Sequence, residues 1–512
     1  MDWSKGFFTT KRSTLIAVAV STFMLPVDFT VVSVALHDIQ VEFNASFTDL
    51  QWVVNGYTLM YAALLMAGGT LSDRFGRKKI YTLGILIFML SSLSCGLSLS
   101  PLMLNISRAF QGSGAALMFS ASIPLLVQEF TGSDRAKAFA VFGLVVGTGA
   151  ALGPLLGGII IRLLGWRWAF LINVPIGISV IALIIWKVRE SRDPNAHALD
   201  FWGFLTFTLS FLGLVYAIIM GNEYGWRSAH IVAVLISAAV LFLIFLFTEK
   251  RAVYPMVDLH LFKKSGYVGI SLTTVILSIG FWWLILYVPL YYQSVLGYSP
   301  LQAGAAVLPF AIPLLIMGGV GARLTKYIDS RTQMAIGLLL VGLGSGLMLF
   351  IPQGNGWLSF FPGAIVAASG TGLINGEIIN VAMSMVPAER SGMASGISGT
   401  MRQLGIALGF AGMGAIFSNF TMSSYEKMAM ADHDYEQLKE PALAAHVTQG
   451  DFAFAARHLP KNISDTFLSI AKASFFNGFH TLLWFAFGIS LFGALLAYFL
   501  IPATVRSNQI NK

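Results

Sequence analysis

Long apolar stretches alternate with short polar, charged or glycine- and proline-rich breaks along the whole of this chain. Runs without a charged residue include Ala138 to Ile161, Phe201 to Asn222, Ser265 to Ala322, Thr332 to Gly376, Gln403 to Tyr425 and Ala473 to Val505. A hydrocarbon core about 30 Å thick needs roughly 20 apolar residues of helix, so each run is long enough to cross one. Two are long enough to cross twice, and turn chemistry divides them at Gly297-Tyr298-Ser299-Pro300 and at Pro352-Gln353-Gly354-Asn355-Gly356. The pattern predicts fourteen helices. The first seven run from Thr14 to Leu36, Gln51 to Leu71, Ile80 to Leu99, Leu102 to Gln128, Lys137 to Ile161, Trp168 to Lys187 and Asp200 to Met220. The others run from His230 to Phe247, Gly266 to Tyr292, Leu301 to Leu324, Thr332 to Ile351, Ser359 to Val386, Gly392 to Phe417 and Phe476 to Ile501.

Composition agrees with a membrane protein: 56% of residues are apolar and 11% charged, where a soluble domain carries about 25% charged. Lysine and arginine set the predicted orientation. With both termini cytoplasmic, Lys11, Arg12, Arg74, Arg77, Lys78, Lys79, Lys137, Lys187, Arg189, Arg192, Lys250, Arg251, Lys263 and Lys264 fall on the inner side, together with Arg506 and Lys512. Arg162, Arg167 and Arg227 fall in short outer loops, which is the positive-inside bias. The net charge of +8 therefore reads as topology and attraction to anionic lipid, not as nucleic-acid binding. A single cysteine, Cys95, excludes an intrachain disulfide, and the eight histidines show no metal-ligand spacing. Lys5, Lys11 and Arg12 precede an apolar run too long for a signal-peptide core, so that run is expected to stay as the first helix.

Between the second and third predicted helices stands Gly69-Thr-Leu-Ser-Asp-Arg-Phe-Gly-Arg-Lys78, a turn-forming, charged hairpin. Gly69, Leu71, Asp73, Arg74, Gly76, Arg77 and Lys78 resemble the loop G-x-L-a-D-r-x-G-r-k of the major facilitator superfamily. In the first helix Leu25, Asp28, Thr30, Val31, Val32, Val34, Ala35 and Leu36 follow l-x-x-D-x-T-v-v-n-v-A-l-P, with Ser33 and His37 departing from it. Arg108, Gln111, Gly112, Gly114 and Ala115 match R-x-x-q-G-x-g-a; Gly149, Gly153, Pro154, Gly157 and Gly158 match the antiporter element of the fifth helix. Trp166, Arg167, Trp168, Phe170, Asn173, Pro175 and Gly177 reproduce W-R-W-x-F-x-x-N-x-P-x-G, followed by Asp200 and Gly203 as D-x-x-G. Later matches are Pro289, Gln293, Gly297, Ser299, Pro300, Ala303, Gly304 and Pro309, then Arg402, Gln403, Gly405 and Gly409. Together these ordered blocks resemble the fourteen-helix drug/proton antiporters, the EmrB/QacA-like group.

The resemblance implies an all-α membrane protein with the major facilitator fold, two six-helix bundles plus two inserted helices. An N-terminal bundle would occupy residues 1–192, the inserted helices and their linkers 193–264, and a C-terminal bundle 265–512, with a cavity between bundles. The segment 419–475, with Glu426, Asp432, Asp434, Glu436, Lys439, Glu440 and Phe452, is expected as an outer hairpin, partly helical or disordered. Docking of a periplasmic adaptor on it is an open alternative.

Charges inside a membrane are functional candidates by default, and Asp28, Arg108, Glu377 and Arg402 stand well inside helices. Counting about 1.5 Å per residue puts Asp28 and Arg108 at similar depth, able to face each other. Asp28 is then the proton-binding carboxylate tuned by Arg108, or the two form a static pair. Glu377 follows Gly376 and Asn375 in the twelfth helix; it carries a proton or contacts a cationic substrate, or else it is satisfied by Asn375 or Asn380 or paired with Arg402. Gln111, Asn375 and Glu377 are the expected polar substrate contacts. Trp283, Tyr287 and Tyr291 share one face of the ninth helix. Trp283 and Tyr287 either stack on substrate or, as is expected of Tyr291 and Tyr292, join an interfacial aromatic belt. By resemblance, Gly69, Asp73, Arg74, Gly76, Arg77 and Lys78 form the conformational switch, and Gly153, Pro154, Gly157 and Gly158 the antiporter element.

These features predict a monomeric, proton-coupled exporter of small amphipathic compounds in a bacterial plasma (inner) membrane, with multidrug efflux by alternating access. The alternative is a dedicated exporter of one metabolite, such as a siderophore or lipid-like compound. No cofactor or metal is expected. H-E-x-x-H, a placed nucleophile and a nucleotide-binding loop are absent from the sequence, which argues against an enzyme.

Overall fold

The computed structural model describes residues 10–192, 200–325, 327–386, 391–431, 438, 440–457 and 459–503. Lys5, the linker 193–199, Asp432, Asp434, Glu436, Lys439, Arg506 and Lys512 lie outside the described residues. The chain begins with α1 (Thr10–Phe43), α2 (Phe47–Phe75), α3 (Arg77–Gly96), α4 (Pro101–Glu129) and α5 (Gly132–Leu164). The short α6 (Trp168–Leu171) runs into α7 (Asn173–Lys187) as one crossing, followed by α8 (Phe201–Tyr224) and α9 (Ala229–Arg251). Next come α10 (Ser265–Ser294), α11 (Pro300–Ala306) continued by α12 (Leu308–Leu324), α13 (Ser330–Met348) and α14 (Phe361–Ser384). The last are α15 (Ser391–Ala431), α16 (Pro441–Gln449), α17 (Phe452–Arg457) and α18 (Lys461–Leu500).

Thirteen spans among the described residues are long and apolar enough to cross a membrane. α2 is too polar for that test, yet its 29 residues pack along α4, and it makes the fourteenth crossing. Helices start where side chains satisfy their free N–H groups. Ser46 with Asp49 and Ser299 with Gln302 close capping boxes, and Ser100 caps α4 ahead of Pro101. The crossings alternate, so one end of the molecule, here the basic end, carries Arg74 to Lys79, Lys187 to Arg192 and Lys250 to Lys264.

Glycines bring the helices together and show an internal repeat. In the first bundle the Gly84 and Gly114 backbones meet between α3 and α4; in the second, Gly337 and Gly370 meet between α13 and α14. A Cβ on any of the four would run into the opposing backbone or side chain, so small residues set these contacts. α8 and α9 stand between the bundles in sequence and beside their seam in space. α8 packs on α9, α2 and α15, with Asn222 Nδ2 donating to the Ala415 carbonyl at 2.7 Å. α9 turns Leu243, Phe247 and Ile236 outward, as a lipid-facing helix must.

The segment 419–475 is more regular than its charge suggested. α15 and α18 extend beyond the predicted crossings because Thr421, Tyr425 and Ala429 bury one face against Phe467, Ala471 and Phe475. The Tyr425 and Phe467 rings meet at 6.1 Å.

Candidate functional site

Asp28 lies on α1 and Arg108 on α4, and the fold brings them together. Arg108 Nη1 donates to Asp28 Oδ2 at 2.6 Å, and both side chains are fully buried. Gln111 Nε2 donates to Asp28 Oδ1 at 2.8 Å, and Asn173 Nδ2 to the same oxygen at 3.0 Å. Ser92 accepts from Gln111 at 2.6 Å and from Asn173 at 3.2 Å, so α1, α3, α4 and α7 all hold the carboxylate. Arg108 also donates from Nε to the Val53 carbonyl of α2 at 3.0 Å and from Nη1 to Gln111 Oε1 at 2.6 Å. Its guanidinium lies 4.3 Å from the Tyr57 ring centre and 5.7 Å from that of Phe170. Gly112 permits this approach, since a Cβ there would lie in the Tyr57 backbone.

The W-R-W-x-F-x-x-N block works as one unit. Trp166 Nε1 donates to Glu42 Oε2 at 2.6 Å, and Arg167 pairs with Glu42, at the end of α1. One turn on, Phe170 stands beside Arg108, and Asn173, the first residue of α7, reaches Asp28. Sequence reasoning placed Asn173 in a motif but not in the site, and it missed Ser92 and Tyr57. Asparagine and serine within apolar helices were the available signal.

Other candidates stand elsewhere than expected. Gln111 is completely buried in the Asp28 network and offers no accessible substrate contact. Trp283 is also fully buried, against Phe479 of α18, with Nε1 donating to the Gly280 carbonyl at 3.0 Å. Tyr287 packs between Phe47 and Phe417, where α2, α10 and α15 meet. Tyr291 and Tyr292 are not a lipid belt: Phe360, in the turn that leads into α14, and Phe479 of α18 cover them. Trp282 of α10 also faces the first bundle, 6.2 Å from Phe29. Glu377 is 8% exposed and accepts from Ser330 Oγ at 2.9 Å and Asn380 Nδ2 at 3.3 Å. It makes no pair with Arg402, whose Nη2 reaches the Asn375 carbonyl at 3.4 Å. Asn375 therefore meets Arg402 through its backbone.

The expected hairpin is helical except at Gly76: residues up to Phe75 finish α2 and Arg77 begins α3, and across this junction Asp73 pairs with Arg77 at 2.9 Å. Glu190, unremarked in the sequence, accepts from the Lys78 and Lys79 amides at 3.0 and 3.2 Å, a carboxylate on the positive end of α3. Gly76 has φ of +112°, and a Cβ there would touch the Glu190 carboxyl. In the α5 element Gly153 and Gly157 pack on Thr30 and Val31 of α1, while Gly158 meets the Pro300 and Leu301 backbone of the other bundle.

The family model for the Major Facilitator Superfamily matches residues 18–203 and again 196–410. The chain belongs to the Major Facilitator Superfamily. As a member it is a multi-pass membrane transporter and not an enzyme. It is 35% identical over 418 residues to the multidrug resistance protein Stp of Mycobacterium tuberculosis (strain CDC 1551 / Oshkosh), covering 81% of this chain and 78% of that one. It is 27% identical over 490 residues to the tetracenomycin C resistance and export protein of Streptomyces glaucescens, covering 95% and 91%. Among solved structures, a bacterial homologue of the human lysosomal transporter Spinster superposes with a TM-score of 0.69 at 16% identity, over 96% of this chain and 97% of that one. The last likeness speaks for the superfamily fold alone.

Proposed function

We propose that this transporter exports amphipathic organic compounds in exchange for protons, by alternating access across a bacterial plasma membrane. The observation that carries the reading is a fully buried carboxylate, Asp28, held by Arg108 and Gln111 of α4 and Asn173 of α7. A buried ion pair contributes little net stability, and an ionisable residue at membrane depth marks a proton or substrate path. Protonation of Asp28 removes the charge that holds Arg108, leaving the guanidinium with Tyr57, the Val53 carbonyl and Gln111 Oε1. The four helices then no longer prefer the same arrangement, which is the differential interaction a conformational change requires.

The basic end faces the cytoplasm in this reading, both termini lie there, and the protein works as a monomer. The α2–α3 junction from Gly69 to Lys78 and the glycine face of α5 set the balance between inward-open and outward-open states. Support comes from relatives named for multidrug resistance and for resistance to and export of tetracenomycin C. In everted vesicles, an imposed pH gradient is expected to drive uptake of a fluorescent amphipathic dye. Uptake that needs ATP and ignores the gradient would overturn the proposal.

A further inference from the structure

Asp28, Arg108 and Glu377, three of the charges that stand well inside the crossings, are matched. Asp28 and Arg108 cancel each other, and Glu377 is held by Ser330 at the N-terminal end of α13 and by Asn380. Arg402 has no ion-pair partner among the described residues. Its hydrogen bond to the Asn375 carbonyl is long, at 3.4 Å, and the ionisable group beside it is the Tyr61 phenol. It stands eleven residues into α15, about 17 Å from the helix start, and it is half-buried. An arginine at that depth needs a counter-charge.

The wall beside it is aromatic. Rings follow one another from Trp282 to Phe29 (6.2 Å), Tyr57 (6.4 Å), Tyr61 (5.9 Å), Phe119 (6.2 Å) and Phe142 (6.0 Å). Phe29, Trp282, Phe119 and Phe142 are partly exposed. Opposite Arg402, Gly376 is exposed and has open space where a side chain would be. Aromatic walls hold flat molecules by offset stacking, and a guanidinium donates two parallel hydrogen bonds to a carboxylate.

We infer that Arg402 anchors a substrate subsite for planar aromatic compounds bearing an acidic group, a carboxylate or phenolate, with the rings from Phe29 to Phe142 as its wall. This deepens the export reading and rests on it. It also replaces cation recognition by Glu377, whose carboxylate is already hydrogen-bonded.

The test uses full-length protein in lipid nanodiscs and three probes of one shape: anthracene-9-carboxylate, its methyl ester and 9-(aminomethyl)anthracene. A charged hydrogen-bonded contact contributes enough for the carboxylate to bind about tenfold more tightly than the ester. Arg402→Gln should reduce that preference to about twofold or less and leave ester binding unchanged, while Arg402→Lys keeps part of it. Tyr61→Ala should weaken all three probes. Equal affinity of the native protein for acid and ester overturns the inference, as does a preference for the amine or an equal loss of acid and ester in Arg402→Gln. Vesicle transport separates the two readings. Gradient-driven movement of ester and amine without acid preference defeats the subsite alone, and no gradient-driven movement of any probe defeats the export reading as well.

Discussion

Replacing Asp28 with asparagine keeps its shape and removes its charge, and the geometry shows why the site should not tolerate it. Oδ1 accepts from Gln111 and Asn173, and Oδ2 from Arg108. If the new carbonyl stays toward the two amides, the new NH2 group points at the guanidinium; if it flips, it points at two amide donors. Either orientation leaves at least one donor unsatisfied, at about 1–3 kcal/mol. Loss of the counter-charge from fully buried Arg108 costs about 3–5 kcal/mol more. Arg108→Gln should be destabilised similarly, because it strands the carboxylate. The double variant removes both charges and should recover about 2 kcal/mol or more relative to the sum of the singles, as groups in one network are coupled. Thermal and denaturant unfolding of the four proteins in one detergent measures this. A single Asp28→Asn as stable as the native protein, or a double variant that shows no recovery, would refute the reasoning.

Gly158→Leu places a side chain in the Leu301 backbone; it should hold that end of the bundles apart, read as a longer spin-label distance between α5 and α11. Gly76→Ala meets both a positive φ and the Glu190 carboxyl, so it should destabilise the protein by about 1–3 kcal/mol in the same unfolding assay. Glu377→Gln retains the Ser330 contact and should change cationic and neutral compounds equally in a binding titration, whereas a selective loss of cations would restore a direct charge contact. In the inserted pair, Glu249 is 3% exposed and accepts from the Val257 amide at 3.1 Å; Glu249→Ala should lower stability by about 1–3 kcal/mol, while Glu249→Gln recovers most of it.

Much of this site is legible in the chain because a membrane makes every charge conspicuous. Depth counted along two helices was enough to set Asp28 opposite Arg108. Gln111 was assigned to substrate although it lies three residues beyond Arg108, on the same helix face, and so shares the arginine's partner. Periodicity groups Trp283 with Tyr287 but does not say which neighbour that face meets; the answer was α18 for Trp283 and α2 with α15 for Tyr287, while the adjacent Trp282 met Phe29. Tyr291 and Tyr292 resembled a belt because their cover comes from Phe360, just before α14, and from α18, far along the chain. Glu190 on the Lys78 and Lys79 amides is likewise a long-range contact with no local signature.

The most direct test of the central claim is simultaneous measurement of substrate and proton flux. Native protein and Asp28→Asn would be reconstituted in liposomes without ATP, with a pH dye inside and a fluorescent amphipathic compound outside. An acid-inside gradient should drive the compound inward through native protein while protons leave, and Asp28→Asn should show neither gradient-driven flux. Equal gradient-driven transport by both proteins would contradict the assignment of Asp28 as the coupling carboxylate.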